Sequence, residues 1–84
     1  MPILSRFYGI VIRMYFQQSE HNPLHVHAVY DDHVAEIDIR TSKILHGYLP
    51  PKAMSIVCEW ISIHNEELLE MWNTQEFRKI DPLE

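Results

Sequence analysis

The sequence predicts an α+β domain in which a four-stranded antiparallel β-meander precedes one long C-terminal α-helix packed across one face. Polar and apolar residues alternate over the first two-thirds of the chain, as they do in strands with one buried face. After Pro50-Pro51 the apolar residues instead recur at helical spacing. The 84 residues, 46% hydrophobic and 23% charged, suit a single folded domain over 1–84 with one modest core.

Four segments have the composition and the alternation that are typical of strands. Their predicted limits are residues 7–16, 25–30, 33–40 and 44–49. A two-residue turn at Asp31-Asp32 joins the second and third strands, and a three-residue loop at 41–43 joins the third and fourth. Pro51 suits the first position of the helix, which is predicted over residues 51–75.

These turns predict which residues face each other across the sheet. In the register that matches apolar partners, Val26 lies opposite Ile37. The same register brings imidazoles and carboxylates together on the sheet face away from the helix. Arg13 and Tyr15 would border that face if the first strand pairs with the second, but the loop at 17–24 leaves this register open. The predicted cross-strand rows are His25–Asp38–His46 and His27–Glu36–Tyr48.

The predicted helix is longer than the sheet that it covers. A continuous helix of this length spans roughly 35 Å, whereas strands of six to eight residues span about 20–27 Å. Trp72 and Phe77 would then have little surface of their own chain to cover. We therefore expect them to form an interface in a homodimer or with another protein. The alternative is a helix that breaks near His64-Asn65 and folds back.

The most informative side chains for chemistry are histidines. His25 and His27 are two residues apart on a strand, so their imidazoles lie on one face about 7 Å apart. This spacing lets both reach one metal ion, and His21 precedes them on a loop from which it could supply a third ligand. Further candidate ligands nearby are Glu36, Asp38 and His46.

Three interpretations of this histidine face remain open. It is a solvated sheet surface with cross-strand histidine–carboxylate pairs, a divalent metal site for which Zn²⁺ is the favoured ion, or a surface that binds a partner or substrate and uses histidine as acid or base. The sequence has no Gly-rich phosphate loop, no Cys-x-x-Cys and no His-Glu-x-x-His that would favour one of them.

Charge and cysteine content narrow the class of protein further. A net charge of −5 disfavours nucleic acid as a partner, because such binding needs a basic surface that displaces counterions from phosphates. Cys58 is the one cysteine, which excludes an internal disulfide and favours a reducing, cytoplasmic location. It is interpreted as a small core residue. The sequence shows neither a signal peptide nor an apolar stretch long enough to span a membrane.

Several blocks of the chain resemble one small bacterial family, labelled domain of unknown function 4160. The resemblance extends over essentially the whole chain, with Leu24 standing where the family usually has a second proline and Thr41-Ser42 where it usually has Thr-Gly. The blocks that carry it are residues 5–12, 21–28 and 47–50, Glu59-Trp60 followed by His64, and residues 67–72.

The resemblance implies a partner and no activity. Members of the family are often encoded beside a second small domain, in an arrangement like a toxin–antitoxin pair. The leading hypothesis is therefore a small cytoplasmic protein-interaction component that acts with a protein encoded nearby. The alternative is a metal-dependent activity, hydrolytic or binding, centred on His25 and His27. Whether the protein is an enzyme stays open.

Overall fold

The computed structural model describes residues 3–14 and 24–83. Over these residues the fold is α+β, as predicted, with an antiparallel sheet whose strands follow the chain in the order β1-β2-β3-β4-β5. Two helices follow the sheet. The elements are β1 (Ile3–Phe7), β2 (Ile10–Arg13), β3 (His25–Tyr30), β4 (His33–Asp38), β5 (Ile44–Gly47), α1 (Pro51–Ile63) and α2 (Asn65–Thr74).

The single strand predicted over 7–16 is wrong, because this region contains a hairpin. β1 and β2 pair across a turn at Tyr8-Gly9. Both turn residues have positive φ, 50° and 78°, as a tight two-residue hairpin turn requires. Apolar residues lie on both sides of the turn, so the sequence reads as one continuous run. The end of the predicted strand, residues 15–16, lies outside the part of the chain that the structure describes.

β3 and β4 pair in the register that was predicted, with Val26 opposite Ile37. β4 ends at Asp38, however, and does not reach Arg40. The Oδ1 atom of Asp38 accepts backbone N–H groups from Arg40 at 2.7 Å and from Thr41 at 3.1 Å. The aspartate side chain therefore turns the chain where alternation alone predicts two more strand residues.

The pairing of β4 with β5 differs from the prediction. His46 lies opposite Glu36 and not opposite Asp38, because β4 ends at Asp38 and residues 39–43 connect it to β5, two residues more than predicted. β5 ends at Gly47, whose φ is 88°, so the strand stops before the predicted limit at Leu49. Consequently the central row of the sheet contains Glu36 together with His46.

The predicted continuous helix is also wrong, and the break that was its alternative is present. α1 and α2 meet at His64, whose backbone has φ −106° and ψ 21°. The Nδ1 atom of His64 lies 2.7 Å from Oε1 of Glu67 in the first turn of α2, which ties the two helices together. The break fits both helices into a molecule whose longest dimension is 30 Å. Neither helix in the described part of the chain is long and apolar enough to cross a membrane.

The helices close the core against one face of the sheet. Trp60 of α1 is fully buried, stacks on Phe7 at 5.5 Å between ring centroids, and donates its indole N–H to the carbonyl oxygen of Asp81 at 2.9 Å. Trp72 is only 5% exposed, and Phe77 is partly buried against the same core. These two residues do have a surface in their own chain to cover, so the overhang from which an interface was predicted is absent.

Candidate metal centre

β3 and β4 bring three potential metal ligands together. His25 and His27 alternate along β3 with Val26 and Ala28, which are fully buried, so the imidazoles project from the opposite side of the strand. β4 places Glu36 directly opposite His27. The three side chains thus come from one hairpin, whose register is determined by its apolar partners.

The three side chains converge closely. The Nε2 atom of His25 lies 3.6 Å from Oε1 of Glu36, and the Nε2 atom of His27 lies 3.7 Å from Oε2. One ligand atom from each residue lies within 4.8 Å of the other two. The side chains are 11%, 19% and 35% exposed, respectively. Within 3–14 and 24–83, these residues form the one group of three or more His, Cys, Asp or Glu side chains that could hold a metal ion.

These separations differ from those of a histidine–carboxylate hydrogen bond. His64 and Glu67, elsewhere in the chain, make such a bond at 2.7 Å. The distances of 3.6 and 3.7 Å to Glu36 are too long for one. Ligands bonded at 2.0–2.1 Å to a tetrahedral zinc ion lie about 3.3 Å apart. The two nitrogen–oxygen distances are therefore closer to the separation of zinc ligands than to the length of a hydrogen bond.

Burial affects the protonation of the site. Desolvation lowers the pKa of His27, the charge of Glu36 acts in the opposite direction, and the charge of His25 adds to the lowering. The neutral imidazole is consequently favoured at neutral pH. A neutral ring nitrogen is the form that donates its lone pair to a metal ion, so this shift is compatible with a ligand role.

The second helix contacts the cluster. The ring centroid of Trp72, in α2, lies 5.3 Å from that of His25, and His25 lies 5.1 Å from His27. The histidine face was predicted to lie away from the helix, and at His25 this is wrong. The imidazole of His25 thus packs beside an indole that is itself buried.

Two of the remaining predicted ligands, Asp38 and His46, are not part of the cluster. The Asp38 carboxylate accepts two backbone hydrogen bonds in the turn after β4. His46 lies opposite Glu36 on β5 but outside the group of converging ligand atoms. His21 lies outside the described residues. Tyr48 was predicted to share a row with Glu36; its ring instead packs edge-on against His33 at 5.6 Å.

Arg13 borders the cluster, as one of the open registers allowed. β2 pairs with β3 so that Arg13 lies directly opposite His27, and directly opposed residues project from the same side of a sheet. The row across the sheet therefore reads Arg13, His27, Glu36, His46. Tyr15, the other predicted neighbour, lies outside the residues that the structure describes.

Cys58 and a groove beside α1 are weaker candidates for a functional site. Burial raises the pKa of the Cys58 thiol, and its Sγ donates to the carbonyl oxygen of Ser42 at 3.4 Å, so a thiolate nucleophile is disfavoured. A groove of about 330 Å³ lies between the β1–β2 turn and α1, with Tyr8, Tyr30 and Lys52 among its lining residues. It does not include the histidine cluster.

Comparison with known proteins agrees with the resemblance noted in the sequence. The family model described as Domain of unknown function (DUF4160) matches residues 9–73. The match spans most of the chain, so the chain belongs to this family. No curated protein and no solved structure matches it. The description of the family names no activity, substrate or partner.

Proposed function

We propose that this member of the DUF4160 family binds one divalent transition-metal ion, of the zinc class, through His25, His27 and Glu36. The observation that carries the proposal is the spacing of 3.6 and 3.7 Å between the imidazole nitrogens and the carboxylate oxygens. Two imidazoles and one carboxylate are a ligand set typical of zinc sites that keep a fourth position open. Hard cations such as Mg²⁺ prefer all-oxygen ligands and fit this set less well.

The contacts around the cluster support a site whose three ligand side chains are already in position before a metal ion binds. The indole of Trp72 packs beside the ring of His25, and the β3–β4 ladder fixes His27 opposite Glu36. A zinc ion with an open position lowers the pKa of a bound water toward 7 and so supplies a hydroxide for hydrolysis. Hydrolysis is therefore the reaction class that this ligand set supports best.

Elemental analysis of untagged protein tests the metal site directly. The protein is loaded with ZnCl₂, freed of excess metal and measured beside a His25→Ala/His27→Ala variant. We expect about one zinc per chain in the parent and less than about a tenth of that in the variant, because two of its three ligands are gone. The tag is omitted because a polyhistidine tail binds zinc by itself.

A matched double variant controls for the loss of histidines as such. His33→Ala/His46→Ala also removes two imidazoles from β4 and β5, yet it leaves the cluster intact. It should retain the zinc content of the parent. The proposal is refuted if the parent holds no zinc, or if both double variants lose zinc equally. Circular dichroism on each protein separates loss of the site from loss of the fold.

A second candidate function is binding of another protein, which the family resemblance implies. The observation that favours it is β5, the last strand in the described sheet, which has four exposed residues. Leu45 is 43% exposed there, and an edge strand can pair with a strand of a partner. Co-purification with the protein encoded beside it should be lost in Leu45→Lys and retained in Ile63→Lys, which changes an exposed apolar residue of α1. Equal retention in both variants would exclude β5 as the contact.

A further inference from the structure

Arg13 extends the row of residues that holds the proposed metal site. Cross-strand pairing sets Arg13 opposite His27, and His27 opposite Glu36. The Cβ atoms of directly opposed residues lie about 4.5–5.5 Å apart. The arginine side chain therefore starts beside one of the metal ligands, on the same side of the sheet.

The Nε atom of Arg13 lacks an acceptor in the part of the chain that the structure describes. It is buried, and it has no hydrogen-bond partner among residues 3–14 and 24–83. A buried charged donor without an acceptor is unfavourable. An oxyanion at the neighbouring metal site would provide one, because a guanidinium donates in a planar fork that matches phosphate and carboxylate oxygens.

From this arrangement we propose that the site takes a phosphate dianion, which ligates the metal through one oxygen and accepts hydrogen bonds from Arg13 through others. The inference rests on the proposed metal site. A divalent ion, the Glu36 carboxylate and the Arg13 guanidinium together leave two positive charges, which a phosphate dianion neutralises. The nearby Asp38 carboxylate is only 8% exposed and accepts backbone N–H groups of its own turn.

The adjacent row of the sheet indicates an organic phosphate monoester more than free phosphate. Val11, Val29 and Val34 lie opposite one another across β2, β3 and β4, on the same side of the sheet as Arg13. Val34 is 49% exposed, so this row offers apolar surface next to the site. A long polyanion is disfavoured because the chain has a net charge of −5.

Calorimetric titration of the zinc-loaded, untagged protein with inorganic phosphate and with phenyl phosphate tests the inference. Arg13→Gln should weaken binding of both by about tenfold or more, as loss of a charged hydrogen-bond donor does. Arg13→Lys keeps the charge but loses the fork, and it should weaken binding by about threefold or more. Lys52→Gln is the matched control: it removes one positive charge from an exposed residue of α1 and should leave both affinities within about twofold of the parent.

Zinc content, measured on every sample, separates this inference from the metal proposal. If the parent holds zinc but binds neither phosphate, or if Arg13→Gln or Arg13→Lys with full zinc binds as tightly as the parent, the phosphate inference is overturned and the metal site stands. If the parent holds no zinc, both proposals fail. Tighter Arg13-dependent binding of phenyl phosphate supports a monoester, whereas tighter inorganic phosphate assigns the site to the free ion.

Discussion

Replacing Gly47 with alanine should destabilise the protein much more than the same replacement at Gly9. Both glycines have positive φ, 88° and 78°, so both substitutions carry the same backbone penalty. Their surroundings differ. A Cβ atom on Gly47 would overlap the carbonyl oxygen of Val34 and press on the Cα of Ala35, whereas one on Gly9 would meet only the ring of Tyr30 at 3.5 Å.

The two penalties differ in size. Holding alanine in the left-handed region costs roughly 1–2 kcal/mol, and this is the whole expected cost for Gly9→Ala. For Gly47→Ala, β5 must also move away from β4, which disturbs the bond from the Tyr48 N–H to the Val34 carbonyl at 3.1 Å. The free energy of unfolding should then fall by about 3–5 kcal/mol. This is a large share of the roughly 5–10 kcal/mol expected for a domain of this size.

Urea unfolding, followed by tryptophan fluorescence, measures the loss in the free energy of unfolding for each variant, and thermal melts followed by circular dichroism measure the fall in Tm. Each kcal/mol corresponds to a shift in Tm of roughly 4–8 °C for a domain of this size. Gly9→Ala should therefore melt roughly 5–15 °C below the parent, and Gly47→Ala should melt at least about 12 °C below it or be unfolded at 25 °C. Equal costs at the two positions would refute the reasoning, because they would mean that β5 does not lie against the β4 backbone at Gly47.

Three further predictions concern burial and pH. Trp60→Phe should lower the free energy of unfolding by about 2 kcal/mol, since it removes the hydrogen bond to Asp81 and leaves a small cavity; urea denaturation measures this, and no loss would contradict the indole contact. The hydrogen bond from His64 lowers the pKa of Glu67, so its stabilisation is present above the ordinary pKa of 4.5 and is lost as the pH falls through the folded value. Glu67→Gln should then melt at a lower temperature than the parent at pH 6, and the two melting temperatures should converge at low pH. A difference in melting temperature that stays constant with pH would contradict this. Because burial lowers the pKa of His27, the metal-free protein should lose stability as the pH falls below 6.5, where the unfolded chain binds the proton first. Thermal melts from pH 8 to 5 should show this slope, and it should be shallower in His27→Gln.

The sequence predicts the fold correctly where the pattern of polar and apolar residues allows only one strand register. A slip of one residue between β3 and β4 would move Val26 and Ile37 to the polar side, so their register could be read from the sequence. The predicted alignment of β4 with β5 is wrong because the Asp38 side chain turns the chain two residues before the alternation ends, and because the pairing has an irregularity between Glu36 and Ile37. Periodicity cannot detect an added backbone bend of this kind.

The remaining differences arise where the usual residue markers are missing. Tyr8 stands where a tight hairpin turn usually has Asn or Asp, and neither Pro nor Gly marks the break at His64. For the site, His-x-His spacing correctly placed two imidazoles on one side of β3. The same spacing does not show which carboxylate joins the two imidazoles. The carboxylate of Glu36 lies near both rings, whereas that of Asp38 accepts hydrogen bonds from the main chain. That distinction depends on side-chain rotamers, which cross-strand spacing does not specify.

The hairpin formed by β3 and β4 contains the whole proposed ligand set, between His25 and Glu36. An isolated hairpin closes in roughly 1–10 μs and needs no distant segment, so these contacts do not depend on the rest of the fold being in place. A bound ion would join the two strands across a short loop while β1, β2 and the helices are still unformed. Metal binding would then raise the folding rate as well as the final stability, since a contact made before the rate-limiting step acts on the forward rate.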